Sequence, residues 1–224
     1  MSDLAPLHGL RVRTPRLELR LGTHDELVAL GRLAERGIHP PEEMPFAIAW
    51  TDAIGEPGFL EGFLAYHEGA LADWSRASWT LNLLAWAEGA LAGTQGLLAE
   101  GFAETRHVHT GSWLGAAYQR RGLGTEMRAA VLELAFRGLG AEVASSAWLE
   151  GNDSSRRVSE KLGYRVVGME ERSPRGVPVP TTAVELARAD WRCPVKVELE
   201  GVEPCLELFG ADPARRARRA SETS

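Results

Sequence analysis

Gly111-Ser-Trp-Leu-Gly-Ala-Ala-Tyr-Gln-Arg-Arg-Gly-Leu-Gly-Thr125 is the stretch on which the reading of this chain turns. Residues 107–115 before it have the composition of a strand ending at Leu114-Gly115. After it, Leu123, Met127, Ala130, Val131, Leu134 and Ala135 fall on one face of a helix over residues 122–139, which Gly138-Leu-Gly140 stops. A strand, a loop carrying glycines and arginines, and a long helix make an anion site. The first N–H groups of a helix have no partner, its dipole favours negative charge, and glycine lets the backbone approach a phosphate closely. Arg120 and Arg121 add charge, so the geometry suits a pyrophosphate. A Walker loop, G-x-x-x-x-G-K-[ST], is absent from the sequence. A dinucleotide fingerprint, G-x-G-x-x-G, fails because Met127 stands where the third glycine belongs. The pattern that matches is Q/R-x-x-G-x-G/A, as Gln119-Arg120-Arg121-Gly122-Leu123-Gly124.

Outward from the loop, strand and helix signals alternate. Arg16-Leu-Glu-Leu-Arg-Leu21 reads as a half-buried strand, and Thr23 with Glu26 forms a capping box for a helix reaching about Gly37. A Pro-rich stretch follows, Ile38-His-Pro-Pro-Glu-Glu-Met-Pro-Phe-Ala-Ile-Ala-Trp50. It is too broken for a regular element, yet it holds Met44, Phe46, Ile48 and Trp50, as a docked or binding loop would. Residues 58–77 read as a helix, and 79–86 and 90–99 as a hairpin turning at Glu88-Gly89. Residues 142–149, 164–171 and 181–187 read as strands, and 153–162 as a helix stopped by Gly163. Strands and helices in this order give a mixed α/β sheet. After Trp191 the composition shifts; residues 195–199 suit an extra strand, and 214–220 a basic frayed helix or tail.

The Gln119–Gly124 pattern, bounded by strand and helix, resembles the coenzyme A pyrophosphate loop of the GCN5-related N-acetyltransferases (GNAT). Asn152-Asp-Ser-Ser155-Arg-Arg-Val-Ser-Glu-Lys-Leu-Gly-Tyr164 is similar to the N-x-x-S…E-K-L-G-[FY] segment of the RimJ/RimL-like branch. Thr14-Pro-Arg-Leu-Glu-Leu-Arg20 resembles that branch's opening, and Ala189-Asp190-Trp191 its close. The resemblance covers about residues 10–191. It implies a central, twisted, mixed sheet of about seven strands with helices on both faces. Two neighbouring parallel strands, here 107–115 and 142–149, would splay into a V. The domain would span 1–191, with 192–224 as a C-terminal extension.

The resemblance also implies a bacterial acyl-CoA-dependent N-acyltransferase, with acetyl-CoA or another acyl-CoA as co-substrate and no metal. The amine would attack the thioester directly, in a ternary complex, without an acyl-enzyme. Trp113 and Leu114 would meet the pantetheine arm, and Gln119, Arg120, Arg121, Gly122, Leu123, Gly124 and Thr125 the pyrophosphate. Asn152 and Ser155 would line the thioester end, with Ser155 a candidate donor to the leaving sulfur. The branch often reads E-I-G-Y-W-L-G where this chain reads His109-Thr-Gly-Ser-Trp-Leu-Gly115, so His109 stands in place of a glutamate and is the candidate base. Glu104 and His107 are weaker candidates. The missing glutamate motivates the alternative of a non-catalytic acyl-CoA sensor or scaffold. A longer donor, such as a dicarboxylic acyl-CoA, is a further alternative. The acceptor would be a protein N-terminus or a small amine, and a homodimer stays open.

Composition sets the outer bounds. The 224 residues suit one domain with an extension, and 44% hydrophobic with 25% charged residues is ordinary for a globular protein. A net charge of −6 argues against general nucleic-acid binding. Residues 1–110 hold 8 basic and 15 acidic side chains, while residues 111–224 hold 17 and 16, so the arginine-rich half is the one with the phosphate loop. No apolar run would span a membrane and no signal peptide is visible, so a soluble cytoplasmic protein is expected. Cys193 and Cys205 form no C-x-x-C pair, and His107 and His109 alone do not make a metal site. Trp50, Trp79, Trp86 and Trp113 would be core residues more readily than a cleft wall.

Overall fold

The computed structural model describes residues 3–211. The basic stretch 214–220 lies outside the described residues. In chain order the strands and helices are β1 (Arg11–Arg13), β2 (Leu17–Arg20), α1 (His24–Glu35), α2 (Phe59–Ala72), β3 (Ser78–Ala87), β4 (Ala90–Glu100), the one-turn α3 (Phe102–Thr105) and β5 (His107–Leu114). They continue with α4 (Leu123–Glu133), β6 (Val143–Leu149), α5 (Asp153–Lys161), β7 (Arg165–Arg172), β8 (Val179–Ala187) and β9 (Glu198–Glu200). Every long element follows a signal in the sequence. Thr23 and Glu26 close the capping box of α1 reciprocally. Helix α4 continues as a π-helical turn, Leu134–Leu139, and stops at left-handed Gly140.

All strands join one sheet, in the order β7-β8-β6-β5-β4-β3-β2-β1-β9. The expected strand number, about seven, is corrected to nine. The extra two, β1 and β9, are three residues each; β9 overlaps the extra strand expected over 195–199, whereas β1 is too short for alternation to show in the sequence. They pair with each other and are pinned by Arg13, which bridges Glu18 and Glu200. The chain beyond β9 folds back as well. Phe209 and Cys205 are fully buried, and the indoles of Trp74 and Trp79 donate to the carbonyls of Leu208 and Phe209. Burial pushes the Cys205 thiol up to about 11, which suits a packing role.

Alternation along the strands builds two cores. Trp79, Leu81, Leu83 and Ala85 of β3 face α4 in the larger one; Leu84 faces α1 and α2 in the smaller. Helices thus cover both faces. All adjacent strands pair antiparallel except β5 and β6, which are parallel. Their pairing stops after three residue pairs, His107 with Val143, Val108 with Ala144 and His109 with Ser145. Beyond that point the two strands part, as the resemblance implied. No helix among the described residues is long and apolar enough to cross a membrane.

Candidate functional site

The parting of β5 and β6 opens gradually. One residue past the last pair, side chains replace the backbone ladder: Thr110 Oγ1 donates to the Ser145 carbonyl (3.2 Å), and Ser146 Oγ to the Thr110 carbonyl (3.1 Å). Further along, a side chain from α4 fills the gap. Arg128 Nη1 donates to Ser146 Oγ (2.9 Å), and its Nη2 to Ser112 Oγ (3.4 Å). Arg128 is only 4% exposed, and its Nε has no partner. Across from Ser112 on β4 sits Gln95, fully buried, with Oε1 unpartnered and its amide donating to the carbonyls of Gly96 and Gly111. The vertex of the V is therefore a buried polar cluster.

On the opposite face, His109 Nδ1 lies 3.1 Å from Ser145 Oγ. Part of the imidazole reaches water, but the surrounding strands shield it. Desolvation first, then the Arg128 charge with smaller contributions from His107 and Arg172, pushes its pKa down to about 4. The ring is neutral near pH 7. His107 and Glu104 stand at the zipped end of the pair, away from the parting.

The other end of β5 runs into the glycine loop. Gly122 takes a left-handed conformation (φ 79°) and caps α4; Arg120 before it is left-handed too (φ 61°), an uncommon state for a side-chain-bearing residue. Arg120 and Arg121 are exposed, on the solvent side of the first amides of α4. The loop is braced from the N-terminal segment. Glu126, 8% exposed, accepts from Thr14 Oγ1 (2.6 Å), Arg16 N (3.2 Å) and Arg16 Nε (2.7 Å), while Arg16 Nη1 donates to the Arg121 carbonyl (3.0 Å). Gln119 does not turn outward. Its amide donates to the carbonyls of Ile38 (2.6 Å) and Leu114 (2.8 Å), tying the loop to the Pro-rich segment and to the end of β5.

The Pro-rich segment forms a roof. Phe46 packs on Trp50, and Trp50 on Trp113 and Phe63, with centroids 5.3–5.9 Å apart. Trp50 and Trp113 are partly buried against the smaller core, as is Trp86 under the Arg20 guanidinium, whereas Trp79 is buried in the larger one. Asn152 caps α5 by accepting from Ser155 N, and its Nδ2 holds the roof at the Pro45 carbonyl (3.1 Å). The turn between β7 and β8 reaches over as well: Arg175 grips Asp52 with two hydrogen bonds and donates to the Pro41 carbonyl. Ser155 is half-buried in the first turn of α5, and its hydroxyl makes no side-chain hydrogen bond among the described residues.

Sequence reasoning missed two groups. The Thr14–Arg16–Glu126 brace was in view as an opening motif, but nothing in it named a partner more than a hundred residues away. Arg128 and Gln95 were missed altogether. One signal was available: Arg128 stands in a helix buried nearly all round, where an arginine is out of place.

With this geometry in hand, comparison with known proteins is direct. A family model described as an acetyltransferase (GNAT) domain matches residues 16–165. Solved structures of similar fold include RimL, a ribosomal-protein α-N-acetyltransferase in complex with coenzyme A, at 14% identity and TM-score 0.63 over 78% of this chain and 95% of that one. A GCN5-related N-acetyltransferase from Brucella melitensis matches at 17% identity and TM-score 0.60, over 81% of this chain and 80% of the other. A microcin self-immunity acetyltransferase in complex with acetyl-CoA and AMP matches at 15% and 0.60, over 77% and 93%.

Proposed function

The chain belongs to the acetyltransferase (GNAT) family, and from that premise we propose that it passes an acyl group from an acyl-CoA to a primary amine by direct attack in a ternary complex. The observation that carries this reading is the end of β5–β6 pairing after three residue pairs, on a strand that runs on into an arginine-bearing glycine loop. The thioester lies in the parting; its pyrophosphate lies on the loop, at the first amides of α4 and beside Arg120 and Arg121. Trp113 and Leu114 border the pantetheine arm. Gln119 and Asn152 contribute as braces, since their amides are already engaged within the protein.

Three chemical jobs remain. The ammonium loses a proton, the carbonyl is polarised, and the departing thiolate is protonated. His109, held neutral, takes the first through water. A backbone N–H near the end of β5 takes the second. Ser155, with its hydroxyl free to turn, takes the third. Coenzyme A and acetyl-CoA stand in two of the similar structures, which makes acetyl-CoA the first donor to try; the buried Arg128 favours a dicarboxylic donor as a second reading. RimL is an α-N-protein acetyltransferase, and the aromatic side chains of the roof border the place for the acceptor, whether a protein N-terminus or a small amine.

Calorimetry with acetyl-CoA and bulkier acyl-CoAs, followed by turnover over a panel of amines, tests this. Binding of a CoA thioester with amide formation is expected, and Ser155→Ala should lower kcat about a hundredfold with little change in the donor KM. Absence of thioester binding sinks the reading. Binding without turnover on any amine turns it into a sensor or scaffold.

A further inference from the structure

We propose that Arg128 selects the acyl donor, and that the site takes a short acyl-CoA whose chain ends in a carboxylate, of the malonyl, succinyl or glutaryl kind. The inference rests on the acyltransferase reading and names its substrate class. Arg128 is 96% buried by its 4% exposure, at the vertex of the β5–β6 parting, and among the described residues no carboxylate forms an ion pair with it. Its two contacts are serine hydroxyls, Ser112 and Ser146, one on each parting strand, and its Nε is left without an acceptor. A buried guanidinium without a counter-charge is destabilising, so its retention calls for a reason. The other deeply buried arginine among the described residues, Arg106, is treated differently. It donates to the carbonyls of Leu139 and Gly140, at the negative end of a helical turn, and lies over the Phe102 ring.

Position points to the donor. Arg128 belongs to the same helix as the phosphate loop and lies one turn beyond its last residue, Thr125. It sits on the α4 face of the sheet, along with Ser112 and Ser146. The aromatic roof, where the acceptor enters, covers the other face. An acyl chain lying in the parting would point its far end at Arg128, and a terminal carboxylate there would meet the unused Nε and an Nη in the planar fork that guanidinium offers. The reaction balances as ordinary acyl transfer. The amine nitrogen bonds to the thioester carbon, the C–S bond breaks, one ammonium proton passes to the thiolate and the other to solvent. The distal carboxylate is untouched, so the acceptor's positive charge is replaced by a negative one.

The test compares succinyl-CoA with butyryl-CoA, which has the same chain length and no charge, alongside acetyl-CoA and free CoA, by calorimetry and by initial rates on one amine. Succinyl-CoA should bind the wild-type enzyme at least about tenfold more tightly than butyryl-CoA. In Arg128→Met the difference should shrink to about twofold or less while free CoA binds as before, and Arg128→Lys should restore part of it. Equal binding of the two thioesters by the wild type overturns the proposal, with no need for a variant to fold; the guanidinium then holds only water. Arg128→Met that keeps the succinyl preference but raises the KM of an amino-acid acceptor also overturns it, and puts the carboxylate on the acceptor. If no CoA thioester binds at all, the acyltransferase reading itself fails, which is a different result from donors that bind alike.

Discussion

Strand β5 is held on both edges, and the two edges differ. Against β4 it forms six antiparallel residue pairs, from Gly93 with Leu114 to Leu98 with His109. Against β6 it forms three parallel ones and is then released. On the β4 edge the backbones come so close at the end that a Cβ on Gly93 would stand 2.2 Å from the Trp113 carbonyl oxygen. On the β6 edge hydroxyls, then an arginine, span the widening gap. One strand thus serves as scaffold on one side and as the wall of a site on the other. The closed edge fixes where Trp113 and Leu114 stand; the open edge leaves polar groups that no backbone ladder engages.

Gly93→Ala attacks the closed edge and should have the largest effect. Backbone cannot yield as a side chain does, so we expect a loss of roughly 3 kcal/mol or more in urea unfolding, or no folded protein. The open edge responds first through chemistry. With His109 as the base and its pKa pushed down to about 4, kcat/KM should stay level from pH 8 to 6 and fall only as the pH approaches 4. A pH profile left unchanged by His109→Gln would remove His109 from that role. The same shift acts on stability: between 6.5 and 4 the unfolded chain takes up a proton that folded His109 and buried His67 refuse, so stability falls as pH falls through that window. Thr110→Val keeps the shape and removes the bridging hydroxyl from the open edge; about 1 kcal/mol should be lost in thermal or urea melts, well short of the Gly93 effect. Asp52→Ala, which frees the roof from Arg175 at the surface, should leave the melting midpoint nearly unchanged while raising the acceptor KM. An unchanged KM would mean that the roof does not meet the acceptor.

Local signals carried most of the fold. Period-two alternation marked β2 and helical spacing marked α4, while Thr23 with Glu26 and Gly163 marked helix ends, because each is decided by neighbours within a few residues. The short strands β1 and β9 were not legible as a pair, since three residues show no period and their register depends on a partner far along the chain. At the site the same division holds. That the glycine loop joins β5 to the start of α4 was readable from its own residues. That Gln119 faces inward, that Asn152 holds Pro45, and that Thr14 and Arg16 meet Glu126 were not, because each is a contact between segments that only packing brings together.

The sequence by itself determined an α/β chain with a loop of glycines and arginines between a strand and a long helix, in the pattern of the acetyltransferase family. It did so because helix capping, strand alternation and glycine conformation are local physics. Only the tertiary structure decided where β5 leaves β6, which roof covers the parting, and that Arg128 stands buried at its vertex without a counter-charge. Burial and charge pairing are properties of what surrounds a side chain, and those surroundings are assembled from strands and helices tens of residues apart.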